Sequence, residues 1–442
     1  MRDMARGTGR QLAVLEAAPI RRIAILRALQ LGDLLLAVPA LRSIRDRFPR
    51  AEITLIGLPW AQDFARRFSR YVNRFIAFPG YPGIAEAPYA PARTAHFFSE
   101  QRACGYDLAI QMHGNGAASN GFCRELGARL SVGYYGDEKP EGLAIAAPYP
   151  EGAHEIARNL GLACLLGATC LTTALEFPLR PADTVEAARL LRPIASLPRP
   201  WIGLHAGARA PSRRWPAERF AAVAATLTRC EGATIILTGG SDEVETARAV
   251  AALMEVATQH APEGEAGLAT TALEDAEWSA REATGEAGLA ATASARSPRP
   301  VRLGATGDDS SSASSASLRA LRVPRNLSDG GPLNLAGRTS LGGLAAVIRR
   351  LDLYITNDTG PSHLAEAVGT PSITLFGPAD PRRWAPLDAE RHPILRAEVA
   401  CSPCGFTACP IDHACLRRIS SARVVALAER LMRKGAAACR NA

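Results

Sequence analysis

Short apolar runs recur along this chain in two successive series, each run closing on a polar turn and leading into a helix-length segment. The first series is RRIAILR (21–27), EITLIG (52–57), RFIAF (74–78), YDLAIQM (106–112) and LSVGYY (130–135). Helical stretches are expected over 33–48, around 60–70, near 117–127 and near 154–167. LRPIASLPRP (191–200) reads as a linker. The pattern then restarts with WIGLHAG (201–207), ATIILTGG (233–240), LNLAG (333–337), DLYITND (352–358) and PSITLFG (371–377), separated by helices from Pro216, from Ser241, near 340–350 and from Pro361. Strand-like runs alternating with helices predict mostly parallel sheets covered on both faces. The fold class expected is α/β, with two facing doubly wound, Rossmann-like domains at 20–195 and 200–400. Residues 1–19 form a tail, and 401–442 a cysteine-containing segment with a C-terminal helix. Ligands of such sheets bind outside the carboxyl ends of the strands, which places a site in the cleft between the domains.

The chain has 442 residues, enough for two or three domains, and 47% hydrophobic against 21% charged residues excludes bulk disorder and a coiled coil. The stretch 258–330 departs from this balance. It is rich in Ala, Gly, Ser, Thr and Glu, contains SSSASSAS (310–317), and echoes itself in GEAGLATTA (264–272) and GEAGLAATA (285–293). So little apolar side chain cannot offset the entropy of ordering, so a disordered insertion is expected there. The opening MRDMARGTGRQLAVLEAAPIRR has neither a continuous apolar stretch nor a small-residue cleavage site, and no run is long enough to span a bilayer. Export is not expected. The formal charge of +8 favours anionic partners such as nucleotides, phosphorylated glycans or an acidic membrane face.

Three segments could carry chemistry. In NDTGPSHLAEAVGTPSITLFG (357–377) a buried strand ends at Asn357 and Asp358, and Pro361 suits the first position of a helix. The free amides and positive dipole end of a helix start bind anions, and Thr359 and Ser362 add hydroxyls, so a diphosphate site is expected here. The alternative is that Asp358 only caps the helix. HAGARAPSRRWP (205–216) places three arginines at the same sheet edge, without the spacing of a Walker A loop. Arg213 is the candidate for neutralising a leaving diphosphate, because a guanidinium matches phosphate geometry; a solvated basic loop is the alternative. In LQLGDLLLAVPAL (29–41), Gly32 permits a sharp turn and Asp33 stands at the N-cap of an apolar helix facing the cleft. A carboxylate there can serve as general base or as a cap, and the two roles are compatible.

Together these segments resemble glycosyltransferase family 9, whose best-known members are lipopolysaccharide heptosyltransferases. The resemblance covers roughly 20–257 and 331–435. It implies the GT-B architecture, a nucleotide-sugar donor such as ADP-heptose, no catalytic metal, and inverting transfer. It implies that Asp33 is the catalytic base. Arg213 stands where the family usually has a phosphate-binding Lys, keeping the charge. Asp358, Thr359 and Gly360 match the segment that holds the donor's diphosphate and sugar, with Ser362 and His363 in the same motif. Asp242, after the Gly239–Gly240 turn, matches an acidic residue that binds the ribose. For the acceptor, a lipid-linked or lipopolysaccharide-core glycan at the cytoplasmic face of the inner membrane, candidates are His113 in QMHGNG and the cations Arg66 and Arg70. Their alternatives are a satisfied structural histidine and solvated surface charge. A nucleic-acid partner is not expected. Two rival readings remain: a GT-B epimerase that isomerises the donor alone, and a catalytically silent nucleotide-sugar-binding protein.

Ten cysteines in a chain of this length suit a reducing compartment better than a disulfide scaffold. Four cluster as Cys401-x2-Cys404-x4-Cys409-x5-Cys415, with His413 nearby. Four thiols this close could hold a structural Zn2+. A disulfide-capable pair and reduced packing thiols are the alternatives.

Overall fold

The computed structural model describes residues 12–259 and 331–440. Residues 1–11 of the expected tail and nearly all of the expected 258–330 insertion lie outside them. The first lobe carries β1 (Arg22–Leu26), β2 (Glu52–Gly57), β3 (Arg74–Ala77), β4 (Leu108–Gln111), β5 (Leu130–Tyr135) and β6 (Ile145–Pro148). The second carries β7 (Trp201–His205), β8 (Thr234–Leu237), β9 (Leu333–Asn334), β10 (Leu353–Asn357), β11 (Ser372–Phe376) and β12 (Ile394–Arg396). The spatial orders are β3-β2-β1-β4-β5-β6 and β12-β11-β10-β7-β8-β9, and their pairings are parallel. Each is a doubly wound sheet, as the alternating pattern predicts. In each, the winding reverses between two central strands: β1 beside β4, with Leu26 opposite Gln111, and β7 beside β10, with His205 opposite Thr356. Those two reversals are where such sheets open a crevice.

Residue alternation along the central strands sends side chains to both faces. Ile23 and Ile25 join one core cluster, with Leu34 and Leu41, while Ala24 and Leu26 join another with Phe78 and Phe122. The first of these clusters continues into the second lobe through Trp201, Val347, Tyr354 and Leu364. The lobes therefore share an apolar interior, each buried Leu or Ile contributing roughly 1.5–3 kcal/mol. Helix Pro181–Leu191, which ends where the linker begins, packs on helix Leu341–Ile348 of the second lobe. Glu186 fixes that junction by accepting from Ser340 N (2.8 Å) and Ser340 Oγ (2.6 Å).

Two local readings change. The stretch expected as one helix from Asp33 is two, Leu31–Leu35 and Val38–Arg47. Pro39 has no amide to donate and its ring would clash with the carbonyl four residues earlier, so one helix cannot run through. Asp33 is consequently not the N-cap. Gln30 is, and Asp33 occupies the third helical position, its Oδ2 accepting from Gln30 N at 3.3 Å. A carboxylate at that position reaches back to the cap amide, as in a capping box.

Candidate active site

Two strand-end turns meet at the lobe boundary. After β1 and the segment 27–30 the chain enters the first helical turn of Leu31–Leu35, which carries Gly32 and Asp33; after β10 it enters Asp358–Thr359–Gly360, with Thr359 as N-cap of helix Gly360–Val368. A Cβ on Gly32 would lie 3.0 Å from His363 Cδ2 and 3.4 Å from Gly360 Cα. One on Gly360 would lie 3.1 Å from Leu31 Cβ and 3.2 Å from Gly32 N. Glycine at both positions lets the two backbones approach this closely. Beside the contact opens a cavity of about 540 Å3. Gln30, Gly32 and Asp33 line it from the first lobe. Arg209, Arg213, Asp358, Thr359, Gly360, His363, Trp384 and Thr407 line it from the second.

Asn357, wholly buried at the end of β10, ties the basic loop to this turn. Its amide donates to Ala206 O (2.9 Å) and Gly207 O (3.2 Å), and its Oδ1 accepts from Trp215 N (3.0 Å). Arg213 closes the short helix Pro211–Arg213, and its Nη1 lies 3.1 Å from Asp358 Oδ2. The other side of that helix is held by the cysteine-containing segment: Ser212 donates to Thr407 O (3.1 Å) and Phe406 O (2.7 Å). Asp358 is 3% exposed. Burial pushes its carboxyl above the ordinary aspartate range, and the charges of Arg213 and His363 counter this in part. Among the described residues Asp358 Oδ2 takes no hydrogen bond beyond its ion pair with Arg213, and His363 Nδ1 takes none, Glu366 Oε2 standing 4.0 Å away.

Asp33 is half-buried. Burial raises its carboxyl; Arg27 opposes the rise, Glu155 adds to it, and the Gln30 amide and His363 oppose it again. A base whose pKa is lifted toward working pH is better matched to taking a hydroxyl proton. Its backbone is fixed from behind by Arg27, 2% exposed, whose Nε and Nη2 donate to Asp33 O at 2.9 and 2.6 Å.

The structure thus brings Asp33, Arg213, Asp358, Thr359, Gly360 and His363 to one cavity. The other candidates lie elsewhere. The Ser362 hydroxyl is buried and donates back to Thr359 O at 2.7 Å. Asp242 is exposed on the β8 turn, while its neighbour Glu243 points inward, accepting from Gly240 N at 2.8 Å and lying 3.4 Å from His205 Nε2. His113 follows β4 at the same sheet edge as Asp33, buried, 3.5 Å from Glu86 Oε2; burial lowers its pKa and Glu86 opposes the drop. Arg66 and Arg70 sit at and beyond the end of helix Ala61–Arg67, which runs back from the carboxyl edge of its sheet; Arg70 pairs with Glu176. Of the four clustered cysteines, Cys401 is exposed and Cys415 buried, all four thiols are free, and among the described residues no group of three or more His, Cys, Asp or Glu side chains is arranged to hold a metal ion. Sequence reasoning missed Arg27, Asn357, Trp384 and Thr407. Asn357 was within reach, as a polar residue ending an apolar strand beside Asp358. Trp384 and Thr407 carry no local signal.

A family model described as glycosyltransferase family 9 (heptosyltransferase) matches residues 95–271 and 310–414. A lipooligosaccharide heptosyltransferase 2 of Campylobacter jejuni is 31% identical over 101 residues, which are 23% of this chain and 32% of that protein. The match therefore spans about a third of that relative's length. Among solved structures, a family 9 glycosyl transferase from Veillonella parvula superposes with a TM-score of 0.63 at 20% identity, covering 94% of this chain and 97% of that one. The ADP-heptose lps heptosyltransferase II of E. coli gives 0.61 at 19% identity, covering 94% and 99%. At these identities the superpositions establish the shared fold, two facing doubly wound sheets.

Proposed function

The chain belongs to glycosyltransferase family 9, and from that premise we propose that it transfers heptose from ADP-heptose, with inversion, to a lipopolysaccharide-core or related envelope glycan. The observation that carries this is the meeting of the Gly32–Asp33 turn with the Asp358–Gly360 turn in one cavity of about 540 Å3 between the lobes. Asp33 takes the proton of the acceptor hydroxyl as its oxygen attacks the anomeric carbon. The bond to the nucleoside diphosphate breaks on the opposite side. The charge developing on that leaving group is met by Arg213 and by the amides of Thr359 and Gly360, which precede the first intrahelical hydrogen bond. Asp242 is assigned to the ribose, and Ser362, its hydroxyl turned to the Thr359 carbonyl, to the shape of the helix start. His113, Arg66 and Arg70 are assigned to an anionic acceptor, reached from the cytoplasmic face of the inner membrane. Among the described residues no helix is long and apolar enough to cross a membrane.

The test is a mass-spectrometric screen of nucleotide-sugar donors with lipid acceptors extracted from a strain lacking the protein. The expected result is an acceptor heavier by one heptose, with release of ADP. Donor isomerised without acceptor, or donor bound and left intact, would overturn the proposal.

A further inference from the structure

We propose that Glu155 is a positioning residue, a buried carboxylate that joins the backbone of the Asp33 turn to the opposite lobe through Arg27 on one side and Arg383 on the other. This rests on the reading of Asp33 as the base.

Glu155 opens helix Glu155–Leu165 and its side chain is 8% exposed. Its Oε1 accepts from Arg27 Nη2 at 3.3 Å. Its Oε2 accepts from Arg158 Nη1 at 3.3 Å and from Arg383 Nε at 3.1 Å. Arg27 spends its other N–H groups on Asp33 O, on Met112 O at the end of β4 (2.6 Å), and on Asn159 Oδ1 (3.0 Å). Asn159 in turn donates to Leu36 O at 3.1 Å, so the backbone at Asp33 and three residues beyond it is held by this group. Arg383 comes from the other lobe. It lies on helix Pro381–Trp384, beside Trp384 of the cavity wall, and its Nη2 also reaches Tyr149 OH at 3.3 Å. Next to it, His154 Nε2 lies 2.8 Å from Ala385 O.

Burial alone would raise the Glu155 pKa, and Arg27, Arg383 and Arg158 overcome that, so the carboxylate is held ionised. A buried ion pair is strongly coupled, and removing one partner leaves an uncompensated charge. Two of the three cations belong to the first lobe whatever the second lobe does. Only Arg383 reports that the donor-carrying lobe is docked. Seating Arg383 on Oε2 fixes the same carboxylate whose Oε1 steadies Arg27 behind the base. Docking of the donor lobe and placement of Asp33 are then one event.

The experiment uses the full chain and the variants Glu155→Gln, Arg383→Met, Arg383→Lys and the Glu155→Gln/Arg383→Met pair. Steady-state kinetics, ADP binding by calorimetry, thermal melting and small-angle X-ray scattering with saturating ADP are measured together. Glu155→Gln and Arg383→Met should each lower kcat about 10-fold, with ADP affinity changed by less than about 3-fold, and the pair should cost no more than the worse single, as coupled residues do. Arg383→Lys should recover most of the loss, and the scattering radius with ADP should rise in both charge-removing variants. Additive losses, or unchanged kcat in Arg383→Met, overturn the proposal. Arg383 is half-buried at the lobe rim, so its variants test the proposal even if Glu155→Gln does not fold. A parent chain that transfers no sugar sinks the functional reading instead; the scattering arm then decides this one, and a radius equal to the parent's in both variants overturns it.

Discussion

At the scale of single residues, the cavity sets two carboxylates against a guanidinium, and their environments separate their roles. Asp358 is sealed in and held near Arg213, whereas Asp33 keeps access to the cleft. Replacing Asp33 by Asn should lower turnover at least about 10²-fold, the usual worth of a positioned base, while ADP affinity stays near that of the parent. Melting should not fall. A carboxyl whose pKa is raised on folding contributes stability below its unfolded pKa and loses it as pH rises through the folded value, so at neutral pH its charge is a burden that Asn removes. Calorimetry showing a clear drop in Tm would contradict this. Arg213→Ala should weaken ADP binding by about 10- to 100-fold, the range of a lost charge-assisted contact, and Arg213→Lys by less. Asp33, Asp358 and Arg213 were readable from sequence because each lies within eight residues after an apolar strand, on the segment that leads into or opens the next helix, where side-chain chemistry and local spacing coincide. Arg27 was not. An arginine ending the run RRIAILR reads as a charge leaving the sheet for solvent, and only the neighbours at Met112, Glu155 and Asn159 make it a core residue.

Among the elements, helix Leu31–Leu35 and helix Gly360–Val368 matter most, because their glycine-bearing starts touch across the lobe boundary. A methyl group at position 360 would stand 3.2 Å from Gly32 N, and backbone there cannot yield as a flexible side chain would. Gly360→Ala should therefore separate the turns by a few tenths of an ångström. It should lower kcat about 10-fold or more, since small misplacements of reacting groups are costly, while Tm moves by only a few degrees. Equal kcat in parent and variant would show that the contact is not part of the working geometry. Sequence pattern located helix Gly360–Val368, for which Pro361 is a local signal, but merged Leu31–Leu35 into one stretch starting at Asp33. It mistook the break at Leu36–Ala37, where the apolar spacing continues through Pro39 while the backbone cannot. It also passed over helix Pro91–Ala103, β6 and β12, whose patterns are weak: β12 is three half-buried residues whose pairing with β11 decides their state.

For the whole molecule, buried histidines set the response to acid. Burial lowers the pKa values of His113, His154, His205 and His392 from an ordinary 6.5. A depressed pKa means that the unfolded chain binds more protons, so this stability is complete above about pH 6.5 and is lost as pH falls through the folded values. Glu155 and Asp183, also depressed, extend the loss to lower pH. Asp33 and Asp358 act in the opposite sense and are outnumbered. The urea midpoint should hold from pH 7.5 to about pH 6.5 and fall from there to pH 5; a flat profile over the whole range would show that these histidines charge without cost. The amino-acid sequence by itself determined two doubly wound sheets and the turns that end their central strands, because strand and helix periods and turn chemistry act over a few residues. Tertiary structure alone decided that Gly32 meets Gly360, that Arg27 is buried behind Asp33, and that Glu155 links Arg27 to Arg383. Gly32 and Gly360, Arg27 and Glu155, and Glu155 and Arg383 each lie more than a hundred residues apart. Arg27 is only six residues from Asp33, but its burial there depends on Met112, Glu155 and Asn159, and no local pattern encodes contacts at such separations.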